Sequence, residues 1–162
     1  MAHSACLSLG SNLGDREANL RSALHSLSRL GKVMVSSFYE TEPVEIENQP
    51  WFLNCAACVE FYGEAGSTPE KLLVEILEIE RRMGRRRMQN KGPRPIDIDI
   101  LLFGQEMVDT PVLTVPHPAM GQRGFVLVPL AEIAPAAMHP GLNKTVSEML
   151  QELPPGPVVR RL

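Results

Sequence analysis

The sequence predicts an α+β domain: a ferredoxin-like βαββαβ core whose antiparallel sheet carries helices on one face, followed by a C-terminal elaboration. Three observations point there. Between Ala5 and Phe103, segments of period two and period 3.6 alternate in the order strand, helix, strand, strand, helix, strand. The 162 residues suit one domain, 1–162, with a core of its own. Hydrophobic residues make up 44% and charged ones 22%, a globular composition, and no apolar run approaches membrane-spanning length.

The elements follow in order. Residues 5–9 (ACLSL) read as a first strand, ended by the turn Gly10-Ser11-Asn12-Leu13-Gly14-Asp15. Leu20, Ala23, Leu24, Leu27 and Leu30 recur at helical spacing over 16–30, with Gly31 as the stop. Residues 32–41 and 52–62 are rich in β-branched and aromatic side chains and predict strands; two prolines, Pro43 and Pro50, keep the segment between them a loop. Thr68-Pro69-Glu70 combines an N-cap, a first-position proline and a first-turn acid, opening a helix that runs to about Met83 and Gly84. Residues 96–103 alternate and then become wholly apolar, a last core strand. The proline-rich remainder reads as an elaborated cap, with a loosely held tail from Pro154.

The net charge of −3 conceals two opposed fields. Residues 81–94 (RRMGRRRMQNKGPR) hold seven of the 16 basic residues and no acid, leaving the other 148 residues at −10. One concentrated positive segment on an acidic protein suits a compact polyanion better than general nucleic-acid binding. Two residues further on, Asp97 and Asp99 stand at i and i+2 of a strand. Their carboxylates share a face at a spacing of roughly 6–7 Å, and Ile96, Ile98 and Ile100 take the other face. Like charges that close call for a cation between them, and Mg²⁺ prefers one or two carboxylates plus substrate phosphates. Guanidinium forks such as those of Arg85, Arg87 and Arg94 match phosphate oxygens, so the juxtaposition points to a magnesium triphosphate. A solvated basic patch or an RNA contact is the alternative for the loop.

Other candidates carry less alone. Glu80 falls inside the apolar stripe of its helix, where an acid is costly unless it is paired or lines a cleft; an internal salt bridge is the competing explanation. His117 and Arg123 lie in a proline-stiffened stretch, and Phe52 beside Asn54 offers a ring and an amide to a flat heterocycle. Cys55 and Cys58 have redox spacing but sit in strand pattern; three cysteines in all predict no disulfide framework and a reducing cytosol. The glycine turn lacks the Lys-Ser/Thr ending of a P-loop, and the remaining histidines show no ligand spacing. Arg123-Gly124-Phe125-Val126 echoes an RNA-recognition signature only for three residues.

Seven segments in order, from Leu7 to about Pro135, resemble the 6-hydroxymethyl-7,8-dihydropterin pyrophosphokinase family. They are LGSNLG (9–14), SSFYET (36–41), QPWFLN (49–54), GPRPIDID (92–99), VPHP (115–118), RGF (123–125) and PLAEIAP (129–135). The resemblance implies transfer of pyrophosphate from ATP to the pterin hydroxymethyl group, releasing AMP, in folate biosynthesis. It implies two Mg²⁺ on Asp97 and Asp99, and catalytic roles for Arg85 and Arg94. Arg87, Arg94, His117 and Arg123, with Glu80, Ile100 and Thr114, would bind ATP. Phe52 and Phe125 would sandwich the pterin, whose edge would meet Asn54, Thr41, Pro43 and Val44. The chain departs from the family at Lys91 and Pro118, where many members carry aromatics. No nucleic-acid or membrane partner is expected. With no secretory signal in MAHSACLSLGSN, a cytoplasmic monomer is expected. A metal-dependent nucleotidyltransferase would use the same aspartates but release pyrophosphate.

Overall fold

Alternation along one strand, β1 (Ser4–Ser11), divides the molecule: Leu7 and Leu9 point into one apolar core and Cys6 into another. The computed structural model describes residues 3–43, 49–85 and 92–162. After β1 come α1 (Arg16–Leu27), β2 (Gly31–Val35), β3 (Tyr39–Thr41), β4 (Phe52–Phe61), α2 (Pro69–Arg82) and β5 (Asp97–Phe103). The C-terminal part holds β6 (Val108–Asp109), β7 (Thr114–Val115), α3 (Gly124–Ile133), β8 (Met138–His139), β9 (Lys144–Thr145), α4 (Val146–Glu152) and β10 (Val159–Arg161). Among the described residues the main sheet runs β10-β3-β4-β1-β5, with β2 also on β4, and every pairing is antiparallel.

Both long N-terminal helices begin as their caps dictate. Asp15 accepts from the Ala18 amide at 3.1 Å and Thr68 from the Lys71 amide at 3.1 Å, while Gly84, at φ +86°, supplies the left-handed turn after α2. Leu20, Ala23 and Leu27 of α1 and Leu72, Ile76 and Ile79 of α2 pack with Leu7, Leu9, Ile98 and Ile100. Among the described residues, the helices on this face of the sheet are α1 and α2. The second face is covered by Val126, Leu127 and Leu130 of α3 with Val146 and Met149 of α4, so the elaboration completes a third layer.

Four expectations need correcting. The strand expected over 32–41 is two strands, because Ser36 and Ser37 leave the ladder: the Ser36 hydroxyl accepts from the Ala56 amide, and the Ser37 amide donates to Glu132. Helix α1 ends at Leu27 with Ser28 as its cap, and Gly31 instead opens β2, where a Cβ would run into the Glu60 carbonyl. The tail expected to be loose pairs as β10 with β3, and Leu162 donates to the Phe38 carbonyl at 3.0 Å. Cys6 and Cys58 form a disulfide against the expectation of none, because the β1–β4 register sets them opposite each other with Cα atoms 4.1 Å apart. Cys55, three residues from Cys58 on the same strand, points into the other core and stays free.

Candidate active site

Strand register builds the site. Gly10 of β1 lies between Asn54 of β4 and Asp97 of β5; Ser8 lies between Ala56 and Asp99. The two aspartates therefore share the face that α3 covers at its far end. Glycine is required at position 10, since an added Cβ would come within 2.6 Å of Asn54 Nδ2 and 3.3 Å of the Phe52 ring. Asn54 is buried and oriented: it accepts from the Thr41 hydroxyl at 2.5 Å and donates to the Leu9 carbonyl at 3.3 Å. One cavity is lined by Thr41, Pro43, Phe52, Asn54 and Phe125 and also by Asp97, Asp99, Arg94 and Arg123. It joins these nine side chains from four separated stretches of sequence.

Charge is arranged around Asp97. Arg85, only 10% exposed, donates to Asp97 and to the Ile96 carbonyl, and pairs with Glu80 at 3.2 Å. Arg94 approaches the other Asp97 oxygen at 3.5 Å. Its Nε is buried and, among the described residues, has no hydrogen-bond partner, which leaves a donor suited to an anionic ligand. Burial, and then the neighbouring Asp97 charge, push the Asp99 carboxyl up to about 7. No cluster of three acid, histidine or cysteine ligands occurs among the described residues. Two carboxylates, one of them disfavoured as a lone anion, suit a hard cation that takes its other oxygens from substrate. Both aromatic candidates already carry a cation on their faces: Arg94 stands 5.0 Å from the Phe52 centroid and Arg123 5.5 Å from that of Phe125.

A second cavity meets the first at Asp99 and is lined by Ile100, Thr114 and His117, with Leu73 and Pro118. Burial, and then Arg123, push the His117 pKa down, against a smaller pull from Asp97. Its Nδ1 accepts from the Ala119 amide at 3.1 Å, so the neutral ring carries its proton on Nε2.

The structure thus gathers Thr41, Pro43, Phe52, Asn54, Phe125, Arg94, Asp97, Asp99 and Arg123 in one cavity, and Ile100, Thr114 and His117 in the next. Glu80 stands apart: it lines neither cavity, is 2% exposed, and accepts from the Ile98 amide at 2.9 Å as well as from Arg85. Arg87 and Val44 lie outside the described residues, as does Lys91. The basic segment is divided rather than pooled, for Arg81 and Arg82 both pair with Glu78 on the surface. Sequence reasoning missed Ser8 and Gly10 as lining residues. Ser8 alone carried a signal, a polar residue between Leu7 and Leu9.

The family model for 7,8-dihydro-6-hydroxymethylpterin-pyrophosphokinase matches residues 6–135. A Bacillus subtilis 2-amino-4-hydroxy-6-hydroxymethyldihydropteridine pyrophosphokinase is 46% identical over 136 residues, covering 82% of this chain and 79% of that protein. The folic acid synthesis protein fol1 of Schizosaccharomyces pombe is 39% identical over 93% of this chain, which spans only 20% of that longer protein. Among solved structures, the Plasmodium falciparum HPPK-DHPS with STZ-DHP matches with a TM-score of 0.73 at 19% identity, over 94% of this chain and 43% of that one. This last likeness speaks for the fold.

Proposed function

The chain belongs to the 7,8-dihydro-6-hydroxymethylpterin-pyrophosphokinase family, a pyrophosphokinase of folate synthesis, and from that premise we propose ATP as the donor, the hydroxymethyl group of the dihydropterin as the acceptor and Mg²⁺ as the cofactor. One observation supports the assignment of sites: the cavity that offers Phe52, Phe125 and Asn54 to a flat heterocycle is also lined by Asp97 and Asp99. We read the strand order as the ferredoxin-like core and residues 104–162 as its elaboration.

The pterin oxygen bonds to the β-phosphorus as the bond from that phosphorus to the bridging oxygen breaks. AMP departs with the bridging oxygen, and the hydroxyl proton is released. Asp97 and Asp99 would hold Mg²⁺, which would supply charge neutralisation at the phosphates. Arg85 fixes Asp97 from behind, since its guanidinium is already committed to Asp97 and Glu80. Arg94 turns its unshared Nε and Arg123 its guanidinium to the phosphates, and neutral His117 donates from Nε2. The rings of Phe52 and Phe125 hold the pterin while Asn54, oriented by Thr41, reads its polar edge. No protein nucleophile takes part; positioning and electrostatics supply the acceleration.

Incubation with ATP, Mg²⁺ and hydroxymethyl-dihydropterin, followed by product identification, tests the proposal. AMP that appears only with pterin supports it. Release of pyrophosphate would make the chain a nucleotidyltransferase, and absence of turnover would refute both.

A further inference from the structure

The glycine turn after β1 matches no phosphate-binding loop, and nothing in the reaction above uses Asn12. Yet Asn12 is 1% exposed, and its side-chain amide is bonded at both ends. Its Nδ2 donates to the Gln49 side chain at 2.8 Å and to the Pro50 carbonyl at 3.2 Å. Its Oδ1 accepts from the Arg94 amide at 2.8 Å, and its own amide donates to the Arg94 carbonyl at 3.1 Å. The turn itself is pinned to α1, because Asn19 donates to the Ser11 hydroxyl at 3.2 Å and to the Leu13 carbonyl at 2.9 Å.

These partners lie 37, 38 and 82 residues away in sequence and belong to different subsites. Pro50 leads within two residues into Phe52, on the acceptor side. Arg94 leads within three residues into Asp97, and its guanidinium stands 5.0 Å from the Phe52 centroid. We propose that Asn12 is a positioning residue that sets the distance between the pterin wall and the phosphate-binding wall, and so aligns the attacking hydroxyl with the β-phosphorus. The proposal rests on the functional reading above. A side chain 1% exposed, with both amide hydrogens donated within the protein, does not itself touch substrate. What it supplies is registration, and a misplacement of about 1 Å at a reacting centre is enough to cost about 10²-fold in rate.

The test is Asn12→Ala beside Asn12→Asp. Alanine removes every side-chain bond. Aspartate keeps the acceptor for the Arg94 amide and loses the donor to Gln49 and Pro50. Each variant is titrated with pterin alone and with Mg²⁺ and a non-hydrolysable ATP analogue, and then assayed for turnover per pterin-binding site. The expected result is a fall in kcat on the order of 10²-fold for Asn12→Ala, with both binary affinities within about fivefold of the parent. Asn12→Asp should lose less kcat and raise mainly the pterin KM. Unchanged kcat in both variants overturns the proposal. So does a loss of turnover explained wholly by fewer binding sites, which marks a purely structural residue. Should Asn12→Ala fail to fold, Asn12→Asp decides alone, through its kcat and the ratio of its pterin to ATP KM. If the parent protein binds no pterin, the functional reading has failed rather than this inference.

Discussion

Glu80 and Arg85 form an ion pair at 3.2 Å in nearly water-free surroundings, at 2% and 10% side-chain exposure. The same Glu80 oxygen accepts from the Ile98 amide at 2.9 Å, so one helix carboxylate ties α2 both to the edge strand β5 and to the arginine that grips Asp97.

Removing Glu80 leaves Arg85 its bond to Asp97 but strands the buried Ile98 amide. Glu80→Ala is therefore expected to lower unfolding free energy by about 1–3 kcal/mol, and Glu80→Gln, which can still accept from Ile98, by less. Urea titration of both variants measures this. A loss under about 1 kcal/mol for the alanine variant would show that the pair is not what holds α2 to β5.

Replacing Asp97 or Asp99 by Ala should cost on the order of 10²–10⁴ in turnover, typical for loss of a central electrostatic element. Pterin titration should remain close to that of the parent, since Phe52, Asn54 and Phe125 are untouched. Near-normal turnover in both variants would end the metal assignment.

Gly10→Ala tests the close approach of β1 to Asn54 and Phe52, the proposed pterin wall. A methyl group there meets Asn54 Nδ2 at 2.6 Å, and the amide must turn away from its Thr41 partner. Strain of about 1–3 kcal/mol follows. The expected result is a pterin KM raised roughly tenfold or more, with an ATP KM within about twofold. Equal changes in both constants would contradict the separation of the two subsites.

A pH dependence is expected from Tyr39, whose hydroxyl donates to Glu132 at 2.6 Å. Burial first, and then that carboxylate, push its pKa up to about 12. A folded-state pKa above the unfolded value means stability that is fully present below about 10 and lost as pH rises through about 12. Unfolding measured between pH 8 and 11.5 should show this decline in the parent and a flatter profile in Tyr39→Phe. At pH 7 that substitution should cost about 1–3 kcal/mol for the lost bond to a charged acceptor. Parallel profiles would show that Tyr39 is not the titrating group.

Much of the site could be read without coordinates, because strand period and chemistry act together. Asp97 and Asp99 had to share a face once Ile98 and Ile100 were given to the core, and Thr68-Pro69 announced α2 by its own capping chemistry. Glu80 was legible as an acid in an apolar stripe, but whether it met a ligand or an arginine depended on what lay across from it. The division of the basic segment was equally hidden, since Glu78 captures Arg81 and Arg82 through spacings of three and four that any surface helix offers.

By itself, the sequence determined most elements of the core between residues 5 and 103, the face on which Asp97 and Asp99 stand, and the ordered motifs that mark the family. Tertiary structure alone decided which distant residues meet. The register of β1 against β4 brought Cys6 to Cys58, the fold brought Glu132 to Ser37 across 95 positions, and Asn12 was joined to Arg94 across 82. Alternation tells a strand which way to face but not which neighbour to lie beside, or how far along it. That choice is made by the packing of both cores at once, and so the same tertiary choice brings Phe52 and Asn54 into one cavity with Asp97 and Asp99.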